Sequence, residues 1–177
     1  MRAAGEALAL SEALGRALLA HGSKLATAES CTGGLIAAAI TDVAGSSAWF
    51  DRGFVTYSNE AKIDMLGVRS ATLGTDGAVS EAVAREMALG ALARSAADFA
   101  VAVTGVAGPS GGSADKPVGM VCFAWARRAG TVESATRYFS GDRAAVRAAT
   151  VAAALDRLLN LARGNAGPAL PGIGGTG

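Results

Sequence analysis

The sequence predicts an α/β fold, a three-layer α/β/α sandwich around a mixed, mostly parallel sheet. Helical and strand-like patterns alternate through the first part of the chain, as they do where crossover helices return parallel strands to one sheet. Later, two strand-like runs are joined at Arg128-Ala129-Gly130, a hairpin that brings an antiparallel member into the sheet. The 177 residues suit one domain, placed at 1–163, and a hydrophobic share of 51 % supplies its core. Much of that material is alanine, which favours helices lying close on a sheet.

The first helix is expected over 6–20, where Leu8, Leu10, Leu14, Leu18 and Leu19 recur at helical spacing. His21-Gly22 ends it, His21 reading as a helix-terminal charge beside a C′ glycine. A short strand over 24–28 runs into a Ser/Thr/Gly turn, and 33–41 follows as a helix apolar on nearly all sides. Residues 48–57 read as a β-type run carrying Trp49, Phe50, Phe54 and Val55. Ser58 or Asn59 caps a helix that reaches Leu66, and Ser80 opens a longer one to about 96. A buried strand is expected over 99–103, then the hairpin strands 118–126 and 131–140, then a helix over 143–162. Beyond 163 the chain holds Gly, Pro and small residues without apolar periodicity, which predicts a disordered tail.

Several function classes fall away on composition. A net charge of +1 with interleaved signs and no basic stripe argues for a small-molecule substrate rather than nucleic acid. The apolar runs are far shorter than the roughly 20 residues of a membrane span. The N-terminus lacks the apolar stretch of a signal peptide, so a cytoplasmic protein is expected. Two separated cysteines, Cys31 and Cys122, and the single His21 do not make a disulfide scaffold or a zinc site. No metal and no cofactor are expected, and a Ser-His-Asp triad is disfavoured for want of histidine.

Ala28-Glu29-Ser30-Cys31-Thr32-Gly33-Gly34 places a serine between a strand and a helix start. The unpaired N–H groups of a first helical turn stabilise negative charge, and glycines let a substrate come close to them. A serine there can attack a carbonyl while those groups hold the oxyanion. The commoner role of Ser30 and Thr32 at such a place is helix capping, and the turn alone leaves both readings open. Lys62 bears on the choice. The chain has three lysines against thirteen arginines, and only a lysine can lose its proton and serve as base in place of histidine. A solvated helix position is the other reading of Lys62. Tyr57 either relays a proton and orients the lysine or ends its strand with an exposed hydroxyl. The loop 104–112 carries four glycines and one proline and can wrap N–H groups around an anion, without matching a nucleoside-triphosphate loop. Lys116 and Arg143 lie downstream as possible phosphate partners, Arg143 alternatively pairing with Asp142.

Taken in order, the runs AESCTGG at 28–34, GSSAW at 45–49, RGFVTYSNEAK at 52–62, LGV at 66–68, GAVSE at 77–81, TGVAGPSGG at 104–112, KPVG at 116–119 and GDR at 141–143 resemble the CinA C-terminal domain family, the nicotinamide mononucleotide deamidases. The likeness covers about residues 6–162 and is closest to the family's stand-alone form. It implies hydrolysis of the carboxamide of nicotinamide mononucleotide to nicotinate mononucleotide and ammonia, in pyridine-nucleotide salvage. It implies Ser30 as nucleophile with Lys62 and Tyr57 beside it, and no metal. Substrate would be held by Thr104, Gly105, Gly108 and Arg143, with the N–H groups of Thr32, Gly33 and Gly34 around the oxyanion. A homo-oligomer is also implied. Ser110 stands where many relatives have Asp, and Val106 where many have Ile. Two other readings stay open: a non-catalytic nucleotide-binding module linked to competence or DNA metabolism, and a serine amidase or peptidase for a different acyl group.

Overall fold

The computed structural model describes residues 2–128 and 130–164. The predicted tail, 164–177, lies outside the described residues except for Gly164. In chain order the elements are α1 (Arg2–Ala20), β1 (Leu25–Glu29), α2 (Leu35–Thr41), β2 (Phe50–Val55), α3 (Asn59–Leu66), α4 (Ser70–Asp76), α5 (Glu81–Ala93), β3 (Phe99–Gly105), β4 (Met120–Arg127), β5 (Val132–Tyr138) and α6 (Arg143–Ala162). One 3-10 turn, Ser46–Ala48, precedes β2.

Local chemistry sets most of the boundaries. The Ser58 hydroxyl accepts the Ala61 N–H at 3.0 Å and opens α3, and Ser80 accepts from Val83 at 3.2 Å to open α5. The Asp142 carboxylate accepts the Ala145 N–H at 2.8 Å and caps α6. Gly22, at φ 60°, follows α1 in the left-handed conformation expected of a C′ glycine, with His21 exposed beside it. The sequence reading passed over α4. Its one large apolar residue is Leu73, and one inward residue per two turns leaves no periodicity to detect.

The sheet order is β2-β1-β3-β4-β5. β1 pairs in parallel with β2 and β3, while β3–β4 and β4–β5 are antiparallel. Four strands therefore point the same way, and β4 is the antiparallel member. Side chains alternate across the sheet by size. Val101, Val103, Phe123 and Trp125 face one layer, where they pack with Leu14, Leu18, Ile36, Ile40, Val146 and Leu155 of α1, α2 and α6. Ala100, Ala102, Cys122 and Ala124 face the other, against Leu66, Val83, Met87 and Ala88 of α3 and α5. The alanine-lined face brings α5 down onto the sheet, which is the use the composition anticipated.

Two junctions in this frame build the site. Glu29 is in register with Val55 on one side and Val103 on the other. Beyond it the Thr56 N–H donates to the Glu29 carbonyl at 2.8 Å, and the Ser30 N–H donates to the Val103 carbonyl at 3.0 Å. The turn after β1 and the glycine loop after β3 thus leave adjacent parallel strands at the same end, where open α/β sheets hold their ligands.

Candidate active site

Ser30 is pinned by the last rung of the β1–β3 ladder, and the chain then reverses through Gly33 (φ 60°) and Gly34 (φ 99°). Two successive left-handed residues require glycine for their backbone conformation rather than for space, since a Cβ would meet only ordinary contacts, Arg147 Nη2 at 3.5 Å from Gly33 and Val55 Cγ2 at 3.5 Å from Gly34. The reversal carries the start of α2 back over Glu29. That carboxylate is fully buried and accepts four hydrogen bonds: Thr32 Oγ1 at 2.7 Å, Gly34 N–H at 3.0 Å and Ile36 N–H at 3.0 Å on Oε2, and Ala37 N–H at 2.9 Å on Oε1. The Gly33 N–H is taken by the Ser30 carbonyl at 3.0 Å. The oxyanion donors expected at Gly33 and Gly34 are therefore engaged inside the protein, and the Thr32 side chain is turned to Glu29. The Cys31 N–H and the expected Thr32 N–H have no carbonyl or carboxylate partner among the described residues. Nothing in the sequence marked Glu29, although α2 lacks the acidic first-turn residue that usually offsets a helix dipole, and Glu29 supplies that charge from outside the helix.

Lys62 comes from the fourth position of α3 and is only 1 % exposed. Its Nζ lies 3.1 Å from Ser30 Oγ and donates to the Thr56 carbonyl at 2.8 Å. The solvated-helix alternative for Lys62 is excluded by that burial. Burial also lowers its pKa from the ordinary 10.5 by penalising the ammonium form. Cys31, next to the serine, is pushed up to about 11, first by burial and also by the nearby Glu29 charge. The side chain of the turn that Lys62 reaches with a hydrogen bond is the Ser30 hydroxyl, which makes the serine the turn's nucleophile candidate.

Tyr57 lines the same cavity as Lys62, without a hydrogen bond between their side chains. It is 61 % exposed, and its hydroxyl accepts from Arg143 Nη2 at 2.9 Å, while the lysine's own partner on that segment is the Thr56 carbonyl. Arg143 Nη1 donates to the Gly108 carbonyl at 2.9 Å, so this arginine bonds to the glycine loop and not to Asp142, which is occupied as a cap. Thr104 is buried and donates to the Ala78 carbonyl at 2.8 Å, holding the 78–79 wall of the cavity. Gly105 lines the cavity; Gly108 reaches it through its carbonyl bond to Arg143. Lys116 donates to the Asp76 carbonyl at 2.5 Å, joining the loop before β4 to the end of α4, and lines neither cavity. Sequence reasoning also missed Arg147, whose Nη2 donates to the Thr32 carbonyl at 2.8 Å from the second turn of α6.

The resulting cavity, about 220 Å³, has Ser30, Cys31, Lys62 and Thr104 in its walls with Tyr57 and Arg143. Ala107 and Arg143 also line a wider bay of about 620 Å³ that includes Pro109, Val118, Asp142 and Arg147. The arrangement has the parts for acyl transfer: a hydroxyl, a buried amine within reach of it, the Cys31 and Thr32 N–H groups beside it and cationic side chains toward the bay.

The chain is 58 % identical over 153 residues to nicotinamide-nucleotide amidohydrolase PncC of Escherichia coli K12, covering 86 % of this chain and 93 % of the relative. The protein of the same name from Pseudomonas putida is 56 % identical, covering 86 % and 94 %. The crystal structure of competence/damage inducible protein CihA from Agrobacterium tumefaciens superposes with a TM-score of 0.86 at 54 % identity, over 88 % of this chain and 95 % of that one. Residues 7–162 match the family model of the CinA C-terminal domain, and with relatives this similar along nearly their whole length the chain belongs to that family.

Proposed function

We propose that this protein is an amidohydrolase that converts nicotinamide mononucleotide to nicotinate mononucleotide and ammonia, with Ser30 as nucleophile and Lys62 as its base. The observation that carries this reading is the buried Lys62 amine 3.1 Å from the Ser30 hydroxyl. The names of the PncC relatives supply the substrate.

In the proposed reaction, neutral Lys62 donates one N–H to the Thr56 carbonyl and turns its lone pair to the Ser30 hydroxyl. It takes the hydroxyl proton as the serine oxygen bonds to the carboxamide carbon. The carbonyl electrons move onto oxygen, and the Cys31 and Thr32 N–H groups stabilise that charge. Lys62 then protonates the amide nitrogen, the C–N bond breaks, and ammonia leaves a nicotinoyl ester on Ser30. Water, deprotonated by the same amine, attacks the ester, and nicotinate mononucleotide departs with the serine proton restored. Arg143 and Arg147 are the cations available to the substrate's phosphate in the bay. A cytoplasmic setting, a role in pyridine-nucleotide salvage and a homo-oligomer belong to the same proposal.

The test is ammonia release from nicotinamide mononucleotide, nicotinamide riboside and nicotinamide by wild type and Ser30→Ala. The mononucleotide should be hydrolysed in clear preference, and Ser30→Ala should abolish the reaction while keeping fold and binding. Full activity in Ser30→Ala removes the serine mechanism. Hydrolysis without preference for the 5′-phosphate points to a different acyl substrate, and binding without turnover to a nucleotide-binding module.

A further inference from the structure

The buried Glu29 carboxylate has no part in the chemistry above, yet it is the most heavily hydrogen-bonded side chain at the site. A carboxylate taken wholly out of water is tolerated only when its oxygens are paired, and here four donors meet it at 2.7 to 3.0 Å. All four belong to the eight residues that follow it. Glu29 therefore cross-links nothing distant. It ties the end of β1 to the start of α2 and closes the nucleophile turn into a small ring with Ser30 inside. From the outer side Arg147 holds the Thr32 carbonyl at 2.8 Å. Lys62 reaches Ser30 from a third element, so the Ser30–Lys62 distance depends on the turn being fixed with respect to β2 and α3.

We propose that Glu29 is the positioning residue of the nucleophile: by occupying the N–H cradle at the start of α2 it locks the Ser30–Gly34 turn, holds the Ser30 hydroxyl against Lys62, and leaves the Cys31 and Thr32 N–H groups as donors for the oxyanion. The inference rests on Ser30 being the nucleophile. It has a chemical corollary. The α2 terminus is already filled by a carboxylate of this chain, so an anionic part of the substrate binds elsewhere, on the Arg143 and Arg147 side.

Glu29→Gln keeps the shape but replaces one acceptor oxygen by an NH2 that cannot accept an N–H. In a cradle of donors the NH2 opposes at least one N–H group whichever oxygen it replaces, that of Ala37 on one side or those of Gly34 and Ile36 on the other, and loosens the turn. A displacement of the reacting groups on the order of 1 Å costs about a hundredfold in rate. Glu29→Gln should therefore lower kcat for nicotinamide mononucleotide about a hundredfold with KM changed less than about threefold. Rates are expressed per folded protein, measured by circular dichroism. A substrate-independent readout is the rate at which a fluorophosphonate labels Ser30, followed by mass spectrometry, and it should fall in parallel. Thr32→Val keeps the carboxylate, removes a single donor, and should give a smaller fall of the same kind, so it decides the matter if Glu29→Gln does not fold.

Labelling and kcat per folded molecule equal to wild type in either variant overturn the inference, because a merely structural glutamate would lower the thermal midpoint alone. Wild-type Ser30 that resists labelling overturns it too. If labelling is fast in wild type and slow in Glu29→Gln while nicotinamide mononucleotide is not hydrolysed, the proposed substrate falls and the positioning role stands.

Discussion

The Arg143 guanidinium donates to the Tyr57 hydroxyl at 2.9 Å and to the Gly108 carbonyl at 2.9 Å. One side chain in the first turn of α6 thereby joins the segment after β2 to the glycine loop after β3, across the mouth of the Ser30 cavity. In this geometry Tyr57 holds the arginine that the proposed function assigns to the substrate's phosphate. Tyr57→Phe removes one bond to a charged group, so KM for nicotinamide mononucleotide should rise about five- to tenfold. Its kcat should change less than about threefold. Steady-state kinetics decide it: a hundredfold fall in kcat at constant KM would return Tyr57 to proton transfer.

Lys62→Arg tests the base. Arginine retains the charge but cannot release a proton in this pH range, so kcat should fall by about 10² to 10⁴. In wild type the amine must be neutral to work. The plot of log(kcat/KM) should therefore climb with pH and level off above a midpoint below the ordinary 10.5, the direction in which burial moves Lys62. Lys62→Arg should lack that limb in any residual activity. A wild-type midpoint at or above 10.5 would remove Lys62 as base.

Much of this site was legible because its pieces are local. The strand–turn–helix around Ser30, the caps at Ser58 and Ser80 and the helix over 143–162 each rest on residues within one turn of each other. Lys62 stood out by chemical scarcity, and burial of that one amine agrees with the reading. The relations that escaped notice are geometric. Asp142 sits beside Arg143 in sequence, but a capping carboxylate points at the N–H three residues on, which leaves the arginine free to reach Tyr57, 86 residues away. Thr104, in the wall of the Ser30 cavity, also holds the Ala78 carbonyl 26 residues away. Glu29 gave no signal, because its four partners come within reach only after two glycines reverse the chain.

Lys62 should also leave a mark on stability. With its folded-state pKa below 10.5, the unfolded chain binds the extra proton between the two values, and stability rises with pH across that window. Below the folded pKa the full cost of burying the ammonium is present and constant. Lys62→Met has no such proton, so its stability relative to wild type should be greatest near neutral pH and shrink as pH approaches 10.5. Urea unfolding at several pH values measures this. A gap that does not change with pH would show that Lys62 titrates alike in folded and unfolded chains.

Gly90 offers a prediction whose sign runs against propensity. It lies in α5, and a Cβ there would stand 2.0 Å from the Leu66 carbonyl oxygen at the end of α3, which also accepts from Arg94 at 2.9 Å. On helix propensity alone, Gly90→Ala would stabilise the protein by about 1 kcal/mol. The contact is with backbone, which cannot swing aside, so α3 must shift, at a cost of about 1–3 kcal/mol or more. Overpacking should win, and the thermal midpoint should drop. Because α3 also carries Lys62, the displaced helix should draw the amine away from Ser30 and lower kcat in the molecules that remain folded. A midpoint at or above that of wild type, with kcat unchanged, would mean that the α3–α5 contact neither limits stability nor sets the reach of Lys62.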